Sequence, residues 1–147
     1  VENIVNNLTT DEDGKSSGGS AIAKYISRRV SLSDGFDATD LTTFLTMNKP
    51  AGTNVNVYYK ILSQFDPETF DEKEWTLMTQ TTNIATVSLD ANEFTEYQFD
   101  PSTTILNYTS NGATYASFKT FAIKIVMTSI NTTRVPRISD YRTIAMA

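Results

Sequence analysis

Cysteine and histidine are both absent from this 147-residue chain, and the two absences remove whole classes of chemistry. Without Cys there is neither a disulfide framework nor a thiolate nucleophile, and without His there is no imidazole base and no imidazole metal ligand. Serine-triad, cysteine-protease and ordinary zinc chemistry are therefore excluded. Positive charge is also scarce: 12 Lys and Arg against 17 Asp and Glu leave a net charge of -5. That is the wrong sign for a surface that must neutralise phosphates, so neither nucleic acid nor membrane insertion is expected. No apolar run approaches the roughly 18 residues that span a bilayer, and the opening VENIVNNLTTDEDG has neither the basic start nor the apolar centre of a signal peptide. The first residue is not Met, and the chain is expected to be a piece of something longer.

What is present reads as one globular domain. An apolar fraction of 39% and a charged fraction of 20% are ordinary for a soluble fold, and the length suits a single core. Residues 1–20, ending in TTDEDGKSSGGS, are rich in Gly, Ser and Asp and are expected to form a flexible N-terminal segment and linker. Residues 21–147 are expected to form the compact domain.

Within that domain the pattern is one of strands. Val55, Val57, Tyr59 and Ile61 alternate with Asn54, Asn56, Tyr58 and Lys60, the period of two that sends successive side chains to opposite faces of a sheet. Strands are predicted over 22–32, 41–47, 54–63, 75–80, 84–89, 96–99, 105–108, 118–128 and 141–145, separated by segments holding Gly, Pro, Asn or Asp where the backbone must reverse. A helical turn is predicted over 67–72, with Asp66 as its cap and Pro67 at its first position. The expected core comprises Val55, Val57, Tyr59, Ile61, Trp75, Leu77, Phe121, Ile123, Ile125 and Met127. Strand 118–128, apolar on both faces, is the expected central strand. The fold class is all-β: an antiparallel β-sandwich or jelly roll.

Five stretches carry a resemblance: AKYISRRVSLSDGFDATDL, TNVNVYYKILS, FDEKEWTLM, FKTFAIKIVMTS and VPRISDYRTIAMA. Together, over about residues 21–147, they resemble a carboxy-terminal β domain of large virion proteins of contractile-tailed phages, especially those of marine cyanobacteria. The resemblance implies a tail, baseplate or fibre-associated structural part located in the virion, with no active-site motif to carry over. The order of a basic-apolar first strand, a VYYK strand, a Trp-bearing strand and a closing P-x-I-x-D-x-R strand is also similar to galactose-binding-like topology.

Candidate residues follow from type and spacing. Asp34, Asp37 and Asp40 could offer oxygens to Ca²⁺, but the spacing departs from the calcium-loop pattern, and a chain reversal is expected instead. Asp66, Glu68, Asp71, Glu72 and Glu74 crowd around Lys73; paired carboxylates can hydrolyse glycosides, yet this run reads as a solvated connection. Tyr58, Tyr108, Tyr115 and Phe118 fall on strand outsides or in loops, where exposed aromatics stack on sugars or anchor partners; Tyr58, Tyr108 and Tyr115 are the expected binding residues. Arg142 and Asp140 share a strand face and are expected to pair. No catalytic residue, metal or cofactor is expected. The expected role is subunit contact with other virion proteins or the rest of a longer chain, the alternative being a carbohydrate-binding module for host surface glycans.

Overall fold

The computed structural model describes residues 12–19, 21, 23–82, 87–103, 106–130 and 133–147. Eleven strands are found there: β1 (Lys24–Ile26), β2 (Val30–Ser31), β3 (Asp40–Asn48), β4 (Thr53–Leu62), β5 (Thr76–Leu77), β6 (Thr79–Gln80), β7 (Thr95–Asp100), β8 (Tyr108–Ser110), β9 (Ala113–Tyr115), β10 (Thr120–Ser129) and β11 (Arg137–Met146). One sheet runs β1-β10-β4-β5 with β2 also on β10; the other runs β11-β3-β7-β6; β8 and β9 form a separate hairpin. Every pairing is antiparallel. The molecule is an all-β, antiparallel two-sheet sandwich.

Its main core lies between the sheets. Val55, Val57, Tyr59 and Ile61 of β4 and Phe121, Ile123 and Ile125 of β10 meet Leu41, Leu45 and Met47 of β3 and Tyr97 and Phe99 of β7. Burying each such side chain stabilises the fold by about 1.5–3 kcal/mol. Strand β10 is central, paired on one side with β4 through ten residues and on the other with β1 and β2. Its second face is also covered, by a smaller cluster of Ala21, Tyr58, Phe70, Trp75, Ala122 and Val126.

Several elements differ from the sequence pattern, each for a local reason. The first predicted strand is broken into β1 and β2, whose registers on β10 differ by one residue. Ser27 occupies the break, donating its amide to the Ile123 carbonyl and accepting the Ile123 amide on its hydroxyl. The predicted strand 75–80 is instead a crossing: β5 pairs with β4, β6 pairs with β7, and buried Met78 passes from one sheet to the other. That is why Leu77, assigned to the core from its alternation, is 42% exposed, while Trp75 belongs to the outer cluster. In the predicted strand 84–89, residues 84–86 lie outside the described residues and 87–89 are not in a strand. Residue 105, where another strand was expected to start, also lies outside them. Met127 is only partly buried against the main core. The helical turn is a 3-10 turn, Phe70–Glu72, with Thr69 at its N-cap and no side-chain cap; Asp66 accepts the Glu68 amide instead.

Residues 12–19, expected as part of a linker, lie on the outer face of the β10-β4 sheet. The Gly14 amide donates to Trp75 O at 2.8 Å, and the Trp75 amide donates to Lys15 O at 2.9 Å. The physical cause is two lysines on that face. Lys60 and Lys124 are 4% and 0% exposed, and buried ammoniums require oxygen partners. A segment rich in carbonyls and carboxylates supplies them.

Candidate functional site

Beside the Leu62 end of β4 the chain turns through Gln64–Glu74 and meets the β8-β9 hairpin, leaving a cleft of about 270 Å³. Asn111 and Gly112 close the hairpin with φ of 49° and 80°, the left-handed backbone that a two-residue turn between twisted strands needs. The hairpin sets Tyr108 and Ser110 against the acidic turn.

The one cation there is shared by two carboxylates. Lys73 Nζ lies 2.9 Å from Asp66 Oδ2 and 2.6 Å from Glu68 Oε1, and also donates to Ser110 Oγ at 3.2 Å. Ser110 Oγ in turn donates to Glu68 Oε1. The Tyr108 hydroxyl donates to Asp66 Oδ2 at 2.7 Å and accepts the Ser63 amide at 2.9 Å. Burial opposes ionisation of Asp66, but Lys73, the Glu68 amide and the Tyr108 hydroxyl outweigh it and hold that carboxyl below its ordinary value. The Lys73 ammonium and the Ser110 hydroxyl pull Glu68 down to about 2. Burial works against the Lys73 cation as well, and the two carboxylates more than reverse this, so its pKa is raised. Burial and the Asp66 carboxylate push Tyr108 up to about 12. Near neutrality the arrangement is one cation held between two carboxylates. It joins turn to hairpin, and Glu68 stays deprotonated throughout the range where a general acid must hold its proton.

The expected binding tyrosines separate. Tyr108 and Tyr115 come together, ring centroids 5.2 Å apart, both half-buried on the hairpin. Tyr58 does not join them. It is 1% exposed, its ring 4.6 Å below Lys124 Nζ, which corrects the surface position read from alternation. Phe118 is likewise fully buried, in the main core. Period two assigns Tyr58 correctly to the outer face of the sheet; what it misses is that residues 12–19 cover that face.

The covering is pinned by a second ion pair. Lys124 Nζ donates to Glu12 Oε1 at 2.9 Å, to Glu12 O at 2.9 Å and to Gly18 O at 3.3 Å, while Glu12 Oε2 accepts the Ala21 amide at 2.7 Å. Both side chains are at most 1% exposed. Lys60 donates to Ser16 O at 3.0 Å and lies 4.9 Å above the Trp75 ring and 5.5 Å above the Phe70 ring. At Gly19, φ is +84° and a Cβ would collide with the Glu12 carboxylate, so no L side chain fits without displacing the pair.

The remaining candidates fall in turns. Asp34 pairs with Lys119, which lowers its pKa; Asp37 accepts from Gln64 Nε2; Asp40 accepts the Leu41 amide. Among the described residues no group of three or more acids forms a metal cluster. The expected Arg142–Asp140 pair is not formed: Arg142 reaches Glu96 at 2.9 Å and lies over the Phe44 ring. Because β3 stands between β11 and β7, the long Arg142 side chain crosses it to reach Glu96, a partner that spacing along the strand does not reveal. Arg137 donates to Ala91 O and lies over the Phe94 ring.

The chain matches no protein-family model and no curated relative. Among solved structures it is similar to the infectious bursal disease virus VP2 subviral particle, with a TM-score of 0.36 and 10% identity, over 86% of this chain and 32% of that one. The chain thus spans less than a third of that protein, and a likeness so slight says nothing of what this chain binds. Sequence reasoning missed a different feature altogether, the apolar side chains at the two ends of the sandwich. Phe36 and Phe65 are 69% and 71% exposed, and Leu89 and Ile130 are 90% and 79% exposed. The signal at Phe36, Phe65 and Ile130 was an apolar residue inside a turn segment, which a search for alternation passes over, while Leu89 was taken into the predicted strand 84–89.

Proposed function

We propose that this domain is a non-enzymatic structural part of a virion, specifically a phage tail or baseplate component, whose work is contact between subunits. The observation that carries the reading is that large apolar side chains stand in solvent at both ends of the sandwich, while the one cation of the cleft, Lys73, is held by Asp66 and Glu68. Exposed aromatic and aliphatic clusters on a rigid frame suit a protein partner. The virion and phage parts of the reading come from the resemblance of the strand sequences. Light scattering coupled to size exclusion on residues 1–147 tests it: a stable trimer or higher oligomer is the expected result, and a monomer at every concentration counts against it.

One observation favours a second reading. The Tyr108–Tyr115 pair stands beside a cleft that Asn107, Thr76 and Thr109 also line, a mixture of ring and polar groups that suits a sugar. A glycan array probed with the wild-type chain and with Tyr115→Ala decides it, since a glycan site requires a hit that the substitution removes.

A further inference from the structure

We propose that a second copy of this chain docks head to tail on the first, the Phe36–Phe65 end of one sandwich seating on the Leu89–Val135 end of the next. The proposal rests on the subunit-contact reading and names its partner and geometry. The two ends are opposite one another. Strands β4 and β10 pair from Leu62↔Thr120 to Thr53↔Ser129, a ten-residue run of about 30 Å. Phe65 lies three residues beyond Leu62 at the first of these positions, and Ile130 directly follows Ser129 at the second.

At the first end two turns present their rings rigidly. The Phe36 amide donates to Ser33 O at 3.0 Å, with Gly35 at φ +87°, and the Asp66 amide donates to Ser63 O at 3.2 Å. Gln64 Nε2 ties one turn to the other through Asp37 Oδ2 at 2.6 Å. Fixed apolar groups of this kind lose little conformational freedom on binding. Beside them Asp34 is fully exposed, held on one side only by Lys119.

The other end is complementary in shape and sign. A cleft of about 510 Å³ is lined by Pro50, Ala51, Leu89 and Val135, with Arg134 and Arg137 against a single carboxylate, Asp90, among its lining. Neither arginine pairs with a carboxylate among the described residues. Aromatic knobs with an acid beside them therefore sit at one end, and an apolar cleft with guanidiniums sits at the other. Asp34 and Asp37 against Lys119 leave one negative charge in excess at the first end, and Arg134 and Arg137 against Asp90 leave one positive charge in excess at the other, so unlike ends attract and like ends repel. A contact between unlike patches is heterologous and repeats from copy to copy.

Sedimentation velocity on residues 1–147 over a concentration series, with two blocked variants, tests this. Phe36→Asp/Phe65→Ser blocks the first end and Leu89→Asp blocks the second. All three side chains stand in solvent, and an unchanged Trp75 emission checks that the fold is intact. The wild type is expected to form concentration-dependent chains that weaken as salt screens the charges. Each variant alone should associate at least tenfold more weakly, and an equimolar mixture should form dimers and stop there, because each variant keeps one good end. Wild-type association that neither variant weakens, or a mixture that stays monomeric, overturns the head-to-tail contact and leaves the subunit-contact reading standing. A wild type that is monomeric up to about 1 mM overturns both.

Discussion

At the scale of single residues, the chain's stability depends on the buried Lys73 and its carboxylate partners. Lys73 and Asp66 side chains are 7% and 1% exposed, so removing the ammonium strands a buried carboxylate, which costs about 3–5 kcal/mol. Lys73→Met is expected to lower the urea midpoint by that much, and a change under about 1 kcal/mol would show that the pair is solvated. The same cluster fixes a pH profile. Asp66 and Glu68 have depressed values, so their contribution is complete above the ordinary carboxylate range and fades as pH falls, for Glu68 from 4.5 towards about 2. Lys73 and Tyr108 are raised, so theirs is complete below their ordinary values and fades as pH rises, for Tyr108 from 10.0 towards about 12. Urea unfolding from pH 2 to 11 should show a plateau between about 5 and 10 with a fall on either side, and Lys73→Met should flatten the acid fall, since Lys73 lowers both carboxylates.

At the scale of elements, the β8-β9 hairpin is the least supported piece and the one that positions Tyr108, Ser110 and Tyr115. It belongs to neither main sheet, and its turn requires φ of 80° at Gly112. Gly112→Ala introduces a Cβ that meets no atom within 4 Å, so the penalty is purely one of backbone, about 1–2 kcal/mol. Amide exchange should quicken in residues 108–115 while β4 and β10 keep their protection; uniform loss would mean that the hairpin is integral to the core. The Asn-Gly pair that makes this hairpin was legible in the sequence and was read only as a connection, since strands of three residues show too little alternation to flank it. The long strands were legible because Val55, Val57, Tyr59 and Ile61 each face the core at every second position. The crossing at Met78 was not, because an apolar residue entering the core between two short strands looks the same in sequence whether the chain stays in one sheet or changes to the other.

At the scale of the whole molecule, the question is whether the compact unit begins at Ala21 or earlier. Polar composition alone argues for a linker, since Glu12–Gly19 has little apolar area to bury. The two sheets taken by themselves would leave Lys60, Lys124, Tyr58 and Trp75 facing water on the outer side of β4, β10 and the Trp75 segment. Residues 12–19 convert that side into a second core by giving the ammoniums one carboxylate and several carbonyls, after which the aromatic rings can close around them. On this argument a chain lacking residues 1–20 exposes an aromatic cluster and unpairs Lys124, and its loss of stability should be on the order of 5 kcal/mol. Trp75 reports the change directly, as the single tryptophan and only 4% exposed in the intact fold. Its emission should move to the red and become quenchable by iodide in the shortened chain. Glu12→Gln, which keeps the backbone contacts, should cost about 3 kcal/mol while leaving the emission near its intact position. If the shortened chain unfolds at the same urea concentration with unchanged emission, residues 12–19 contribute nothing to the core and the linker expectation is restored.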